Sequence, residues 1–280
     1  MSDLLFYMAL SLTLLSTGGF IVYIVIKEHE RVFLLSWIAL SAGFVFHTLF
    51  LADRYYFLGV APVITLKSSL SFFAWCITGT YLFFHARYRL RVLGSFVAPL
   101  AAIMMIISAV IPGTEITVNP ILRSAWFIVH VATIFIGHGF FAITFTSAVM
   151  YLIQERRIKK KTLGSFYKRL PSLETLDSIN HHSIIYGFPF LTVGMIAGSI
   201  YAQYALGSYW RWDPKEVWTL ITWMAYAMLL HERLAVGWRG RRAAMMSIIC
   251  FFILIFTFIG GSLWLNSYHT FKNLGAGAGL

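Results

Sequence analysis

The chain has 280 residues, of which 59% are hydrophobic, and its formal net charge is +11. Such a composition excludes an ordinary soluble domain. The positive charge does not indicate nucleic-acid binding, because the cations cluster in short loops between apolar runs, which is a sign of membrane topology. The two cysteines, Cys76 and Cys250, stand apart inside apolar segments, so the sequence has no Cys-x-x-Cys pair for thiol redox chemistry.

Apolar runs divide the chain into membrane-spanning segments. A spanning helix needs about 20 apolar residues. By that rule the sequence predicts an all-α integral membrane protein with about eight transmembrane helices, forming a single polytopic domain over residues 1–280. The predicted spans are Leu4–Ile26, Val32–Leu51, Ser68–Phe84, Val92–Ile111, Ala125–Ile153, Ile184–Leu206, Val217–Leu234 and Ala243–Leu265. The tail, residues 270–280, carries no structural signal and is predicted to be disordered.

Basic loops orient these spans. Clusters of Arg and Lys follow the third, fifth and seventh spans, and the positive-inside rule places such loops in the cytoplasm. Both termini and the loop between spans six and seven are then predicted to face outward. The segment Lys159–His182 is basic and partly amphipathic, so we expect it on the cytoplasmic membrane surface.

The outward loop between spans six and seven contains three Trp within nine residues: Trp210, Trp212 and Trp218. Asp213 and Glu216 flank Pro214 as in a capping box, which predicts that the seventh helix begins there. Trp210 and Trp212 then lie just outside the membrane helix. From residue types alone two interpretations stay open. These rings could form an interfacial aromatic belt or a stacking surface for a planar apolar ligand.

The stretch from Trp210 to Trp223 resembles the tryptophan-rich WWD signature of heme-handling proteins. With Gly207-Ser208-Tyr209 before it and His231 after it, it is similar to the CcsA/ResC family of system II cytochrome c maturation. The similarity is close from about Trp126 to His269 and covers only the general layout of the first half. It implies a heme-handling segment over residues 207–223. The heme-binding residues implied there are Trp210, Trp212, Asp213, Trp218 and Trp223.

Three of the nine histidines are implied as ligands of heme iron. His130 and His269 are predicted near the outer ends of spans five and eight, and the resemblance assigns both to one iron at the outer face. His231 lies 13 residues after Trp218, so it is predicted about 20 Å deeper. It resembles the family's inner, membrane-embedded ligand, whose second ligand comes from a CcsB/ResB-type partner. His85 is a weaker candidate to complete that inner site, whereas His181 and His182 are expected in a polar surface region.

The resemblance implies a subunit of a holocytochrome c synthase, or cytochrome c heme lyase, in the bacterial cytoplasmic membrane. It would present non-covalent heme b at the periplasmic face and join it to the Cys-x-x-Cys-His segment of apocytochrome c. Membrane lipid is expected as a further partner, and nucleic acid is not. One alternative is a system I WWD protein, although those typically have six spans or are much longer. The other is a membrane diheme b-type cytochrome that exchanges electrons with quinone, which needs paired histidines at both membrane depths.

Overall fold

The computed structural model describes residues 2–25, 29–113, 120–161 and 169–260, and within them the chain is almost entirely helical. Eight α-helices occur in this part of the chain. They are α1 (Ser2–Val25), α2 (Glu30–Leu58), α3 (Leu66–Tyr88), α4 (Gly94–Val110), α5 (Ala125–Lys159), α6 (Leu173–Leu206), α7 (Pro214–Leu234) and α8 (Arg241–Ile255). A short 3₁₀-helix, Pro120–Arg123, precedes α5, and a π-helical turn, Phe256–Gly260, follows α8. The all-α prediction is confirmed.

Five of the described helices are long and apolar enough to cross a membrane: α1, α2, α5, α6, and α8 together with its π-helical turn. Helix α4 is apolar but shorter. Helices α3 and α7 begin or end in charged residues, such as Lys67 and Arg87 in α3 and Lys215 and Glu232 in α7. Every predicted span overlaps one helix, whereas the count of eight crossings and the outward placement of the termini stay predictions.

The packing order places α5 at the centre of the bundle. Helix α5 packs most extensively against α6 and also against α3 and α8, while α7 packs on α6 and α8. Helices α1, α2 and α4 form the N-terminal side and reach α5 mainly through α3. Glycines allow α5 and α6 to approach closely, since a Cβ on Gly137 would lie 3.1 Å from the Gly187 carbonyl oxygen.

Helix α6 begins 11 residues earlier than the predicted span. Ser172 caps it by accepting a hydrogen bond from the Thr175 N–H. Residues 173–182 therefore continue α6, and both His181 and His182 lie in the helix. The placement of this segment at the cytoplasmic membrane surface stays a prediction. The reason is tertiary: a buried ion pair compensates the polar residues of this first part of α6.

That ion pair joins Asp177 of α6 to Arg233 of α7. The two guanidinium Nη atoms lie 3.1 and 3.0 Å from the two Asp177 carboxylate oxygens, and the Arg233 side chain is only 3% exposed. The Gly240 N–H donates to Asp177 Oδ1 at 2.8 Å, and Arg233 Nε donates to His181 Nδ1 at 3.2 Å. The network therefore fixes α7 and the start of α8 against α6 at the end of the bundle opposite to the Trp-rich loop.

Candidate functional site

The Trp-rich loop starts α7 as the sequence predicts. Asp213 is 5% exposed and caps the helix, accepting a hydrogen bond from the Lys215 N–H at 2.9 Å. The Glu216 carboxylate accepts in return from the backbone N–H groups of Arg211 and Asp213, at 2.9 and 3.3 Å. The capping box is confirmed. It gives Asp213 a structural role, while a contact with heme stays a prediction.

A helix C-cap and a side-chain hydrogen bond hold the same loop against α6. Helix α6 ends at Gly207, which adopts the left-handed conformation with φ 72°. The Ser199 hydroxyl of α6 donates to the Tyr209 carbonyl oxygen at 2.8 Å. Trp212 has a φ of 59°, which is strained for a residue with a Cβ, and its side chain is 75% exposed. A large apolar ring is thus held exposed at this end of the bundle, next to Trp210 at a centroid distance of 5.8 Å.

His130 of α5 lies beside this loop, and its ring orientation is defined. Its Nδ1 is 2.7 Å from the Gly194 carbonyl oxygen of α6. Because a carbonyl only accepts, Nδ1 carries the proton, and the lone pair of the neutral imidazole lies on Nε2. The ring occupies the place of a missing side chain, since a Cβ on Gly198 would lie 2.5 Å from His130 Nδ1. This is the second-shell arrangement expected of a histidine that binds a metal ion through Nε2.

Two cavities meet at His130. The first, which we call the outer cavity, lies under the Trp-rich loop. Its walls are His130, Met195, Gly198, Ser199, Ala202, Tyr209, Trp210, Lys215, Glu216 and Thr219. The second, the inner cavity, extends from His130 into the bundle towards His138 and is mostly apolar. The structure therefore brings His130 and Trp210 to one concave surface, whereas Trp212 lines neither of these two cavities.

Lys215 lines both cavities and was not among the predicted site residues. It stands before the predicted span Val217–Leu234, in the first turn of α7. Burial lowers the pKa of its ammonium group to about 8, and Asp213 opposes that shift. A cation held in apolar surroundings next to a candidate iron ligand suits an anionic group on a ligand.

Two of the predicted Trp residues pack within the bundle and line neither cavity. The Trp218 ring lies against Phe256 at a centroid distance of 4.5 Å. The Trp223 Nε1–H donates to Thr192 Oγ1 at 2.9 Å, and its ring lies 5.4 Å from that of Phe188. In this structure the Trp218 ring packs α7 against the π-helical turn after α8, and the Trp223 ring packs α7 against α6. Direct heme contact by either stays a prediction.

His231 lies near the opposite end of α7 from the loop, and its side chain is exposed. Met224 and Met228, on the same face of the helix, are 58% and 52% exposed. His85 does not face His231, because its ring packs against Phe33 and Trp37 of α2, at 5.4 and 5.9 Å. The described helices therefore do not pair His231 with His85, which leaves the diheme quinone cytochrome without its inner histidine pair.

His269 lies outside the described residues, as does the tail over 270–280. Its position beside His130 stays a prediction. Two residues that shape the site escaped the sequence reasoning: Gly194 and Gly198. His138, which the sequence places in mid-span as an interhelical hydrogen-bond donor or an indirect ligand contact, lines the inner cavity. Gly194 and Gly198 repeat at helical spacing on the α6 face towards His130, but without a known partner helix that spacing is equally typical of ordinary membrane packing.

Fold and site together define a multi-pass helical membrane protein with an aromatic, histidine-containing cavity at one end of its bundle. The family model described as "Cytochrome C assembly protein" matches residues 63–269. The chain therefore belongs to the cytochrome c assembly protein family, and the resemblance inferred from the Trp-rich stretch is confirmed.

Curated relatives agree with this assignment. The cytochrome c biogenesis protein CcsA of Chlamydomonas reinhardtii is 33% identical over 220 residues, which are 76% of this chain and 61% of that protein. The chain thus spans under two thirds of that relative's length. The CcsA protein of Microcystis aeruginosa (strain NIES-843 / IAM M-2473) is 30% identical over 269 residues, with 79% and 82% of the two chains covered. Guillardia theta CcsA is 28% identical, with 89% of each chain covered.

A solved structure shares the fold. The structure titled "Cytochrome c Heme Lyase CcmF" matches with a TM-score of 0.67 and 17% identity, covering 92% of this chain and 46% of that chain. At this identity the match shows a common fold. The eight described helices therefore have the arrangement of the corresponding part of a larger membrane protein.

Proposed function

We propose that this chain holds heme at the outer end of its bundle and presents it for covalent attachment to apocytochrome c. The observation that carries the proposal is the seating of His130, whose Nδ1 is engaged by the Gly194 carbonyl oxygen while its ring borders a cavity under Trp210. Nε2 is then the ring nitrogen whose lone pair can bind iron. Tyr209 and Trp210 supply the aromatic wall against which a porphyrin packs.

The chemistry of attachment assigns a positioning role to the chain. Each thiol of a Cys-x-x-Cys-His segment adds across one heme vinyl group, so that sulfur bonds to one vinyl carbon and the thiol hydrogen ends on the other. The apocytochrome supplies both thiols, and in this chain Cys76 and Cys250 are buried. Holding the tetrapyrrole with its vinyl groups accessible lowers the entropic part of the barrier. The apocytochrome histidine can later replace one iron ligand.

The heme is proposed to be heme b, held without covalent bonds. The sequence has no Cys-x-x-Cys pair that could attach it. Iron coordination, ring stacking and burial together hold the group, with His269 as the second iron ligand at this site. Acid–organic extraction should therefore release the heme from the purified polypeptide.

A partner of the CcsB/ResB type is proposed to complete the assembly as a holocytochrome c synthase. The exposed His231, with Met224 and Met228 on the same face of α7, supports an inner heme site shared with that partner. We place the outer cavity on the periplasmic face of a bacterial cytoplasmic membrane, because the basic loops after the third, fifth and seventh predicted spans orient it there.

Ligand replacement tests the outer site. His130→Gly removes one iron bond and leaves a cavity about the size of imidazole, while stacking and burial remain. We expect loss of cytochrome c maturation and partial recovery with added imidazole, and the same for His269→Gly. The readout is cytochrome c yield in a reconstituted strain.

Trp212→Ala is the matched control, because it removes an aromatic contact and no iron ligand. Its defect should not respond to imidazole. Full activity of His130→Gly without imidazole would contradict the ligand assignment, and recovery of the Trp212 variant would contradict the division of roles.

A further inference from the structure

The inner cavity contains polar groups that the outer site does not use. It lies between α3, α5, α6, α7 and the π-helical turn, and it shares His130, Lys215 and Thr219 with the outer cavity. Its volume is about 140 Å³, against about 300–1,000 Å³ for a pocket that encloses a whole small ligand. The outer cavity is smaller, at about 80 Å³, so neither cavity encloses a complete ring. The ring would lie against the exposed Trp-rich face, and the inner cavity fits a side arm of the ligand.

His138 lies on the wall of this cavity, two helical turns from His130 on α5 and therefore about 12 Å along the helix axis. The residue is 8% exposed, and its Nδ1 has no hydrogen-bond partner within the described residues. Buried polar atoms are rarely left unpaired. A polar group that enters the cavity would give Nδ1 the missing partner.

Two other polar groups of the cavity are already engaged. The Thr222 and Thr257 hydroxyls lie 2.8 Å apart, and both donate to the Trp218 carbonyl oxygen, at 2.9 and 3.2 Å. Their hydrogens are therefore used inside the protein. Lys215, a cation that lines both cavities, and His138, which lines the inner one, can donate to a group that only accepts hydrogen bonds.

Heme carries two propionate carboxylates on one side of the ring and its vinyl groups largely on the other. A propionate arm combines two methylene groups with an anionic end, which suits apolar walls and a cationic Lys. We infer that the inner cavity receives a propionate of the heme whose iron is bound by His130, with Lys215 and His138 as hydrogen-bond donors. The inference rests on the proposed function and adds the orientation of the substrate.

This orientation has a chemical consequence. With the propionate side directed into the bundle, the vinyl side faces the Trp-rich loop and the outer surface, where the apocytochrome thiols arrive. Lys215 and His138 would then decide which edge of the heme is presented. They are specificity-determining residues, whereas His130 holds the iron.

The test compares iron protoporphyrin IX with its dimethyl ester, which lacks both carboxylates. Each is titrated into the heme-free full chain in lipid nanodiscs, followed by visible absorbance. Hydrogen bonds to charged groups contribute enough to predict that the native chain binds the free acid about 10- to 100-fold more tightly than the ester. Lys215→Met should lower this ratio to about five, the part contributed by His138, and Lys215→Arg should keep most of the preference.

His138→Phe should reduce the same ratio about fivefold, since it removes one hydrogen bond to a carboxylate. Lys67→Met is the matched control: it makes the same substitution at the start of α3, away from both cavities. The control should keep the native ratio. Thermal unfolding of each variant, followed by circular dichroism, checks that it is folded.

Three results would overturn the inference. The first is equal binding of both compounds by the native chain. The second is an equal loss of affinity for both compounds in the Lys215 and His138 variants, which is a structural effect. The third is loss of the preference in Arg211→Gln alone, which would place the carboxylates at the outer surface. Failure of the proposed function looks different: neither compound would give an imidazole-ligated spectrum, and His130→Gly would change nothing.

Discussion

Gly198→Ala tests whether the seating of His130 matters for heme binding. An added Cβ would lie 2.5 Å from His130 Nδ1 and 2.6 Å from Cε1, where ordinary contact begins at 3.4 Å. The imidazole must therefore shift by about 1 Å, because the methyl group belongs to a rigid helix backbone and cannot retreat. Such a shift lengthens the 2.7 Å contact between Nδ1 and the Gly194 carbonyl oxygen beyond hydrogen-bond range.

The alanine is expected to favour the helical backbone of α6 and to disturb the packing around His130. Alanine favours the helix over glycine by about 1 kcal/mol, whereas overpacking costs about 1–3 kcal/mol. The free energy of unfolding should therefore fall by about 0–2 kcal/mol. A ligand displaced by about 1 Å can cost about 100-fold in rate, so cytochrome c maturation should fall by that order. Heme affinity is measured by absorbance titration and maturation by cytochrome c yield.

Two further variants distinguish displacement of the His130 ring from a general loss of stability. Gly18→Ala is the matched control, since nothing lies within 4 Å of a Cβ at that glycine in α1, and it should behave like the native chain. In a His130→Gly background, Gly198→Ala should have little additional effect on heme affinity, because the ring it displaces is absent. Native heme affinity in the single Gly198 variant would refute the reasoning.

Further predictions address the rest of the chain. Asp177→Asn leaves Arg233 buried with a neutral partner and should lower the free energy of unfolding by about 3 kcal/mol or more, measured by thermal unfolding; replacing both residues by apolar ones should cost less. His231→Ala should lower bound heme and maturation together, and an unchanged heme content would contradict its assignment as the inner ligand. Cysteine substituted for Ser208 should react with an impermeant reagent outside intact cells, whereas cysteine at Lys160 should not; labelling at Lys160 would reverse the predicted topology.

The sequence alone determined that the protein lies in a membrane and that its secondary structure is helical. Apolar runs of about 20 residues can satisfy their backbone hydrogen bonds in lipid only as helices, and every predicted span corresponds to a described helix. The start of α7 was equally predictable, because the capping of Asp213, Pro214 and Glu216 is a local interaction. The same compact stretch carried the family resemblance.

Only the tertiary structure decided which of those residues meet and what surrounds them. Residues 173–182 pack as the first turns of α6 because Arg233, 56 positions away from Asp177, supplies a counter-charge between the helices. His130 was predicted from its depth, but its ring orientation depends on Gly194 and Gly198 of another helix. Contacts between helices depend on rotation and register, which local sequence signals do not encode, and for that reason the inner cavity could be found only in the folded chain.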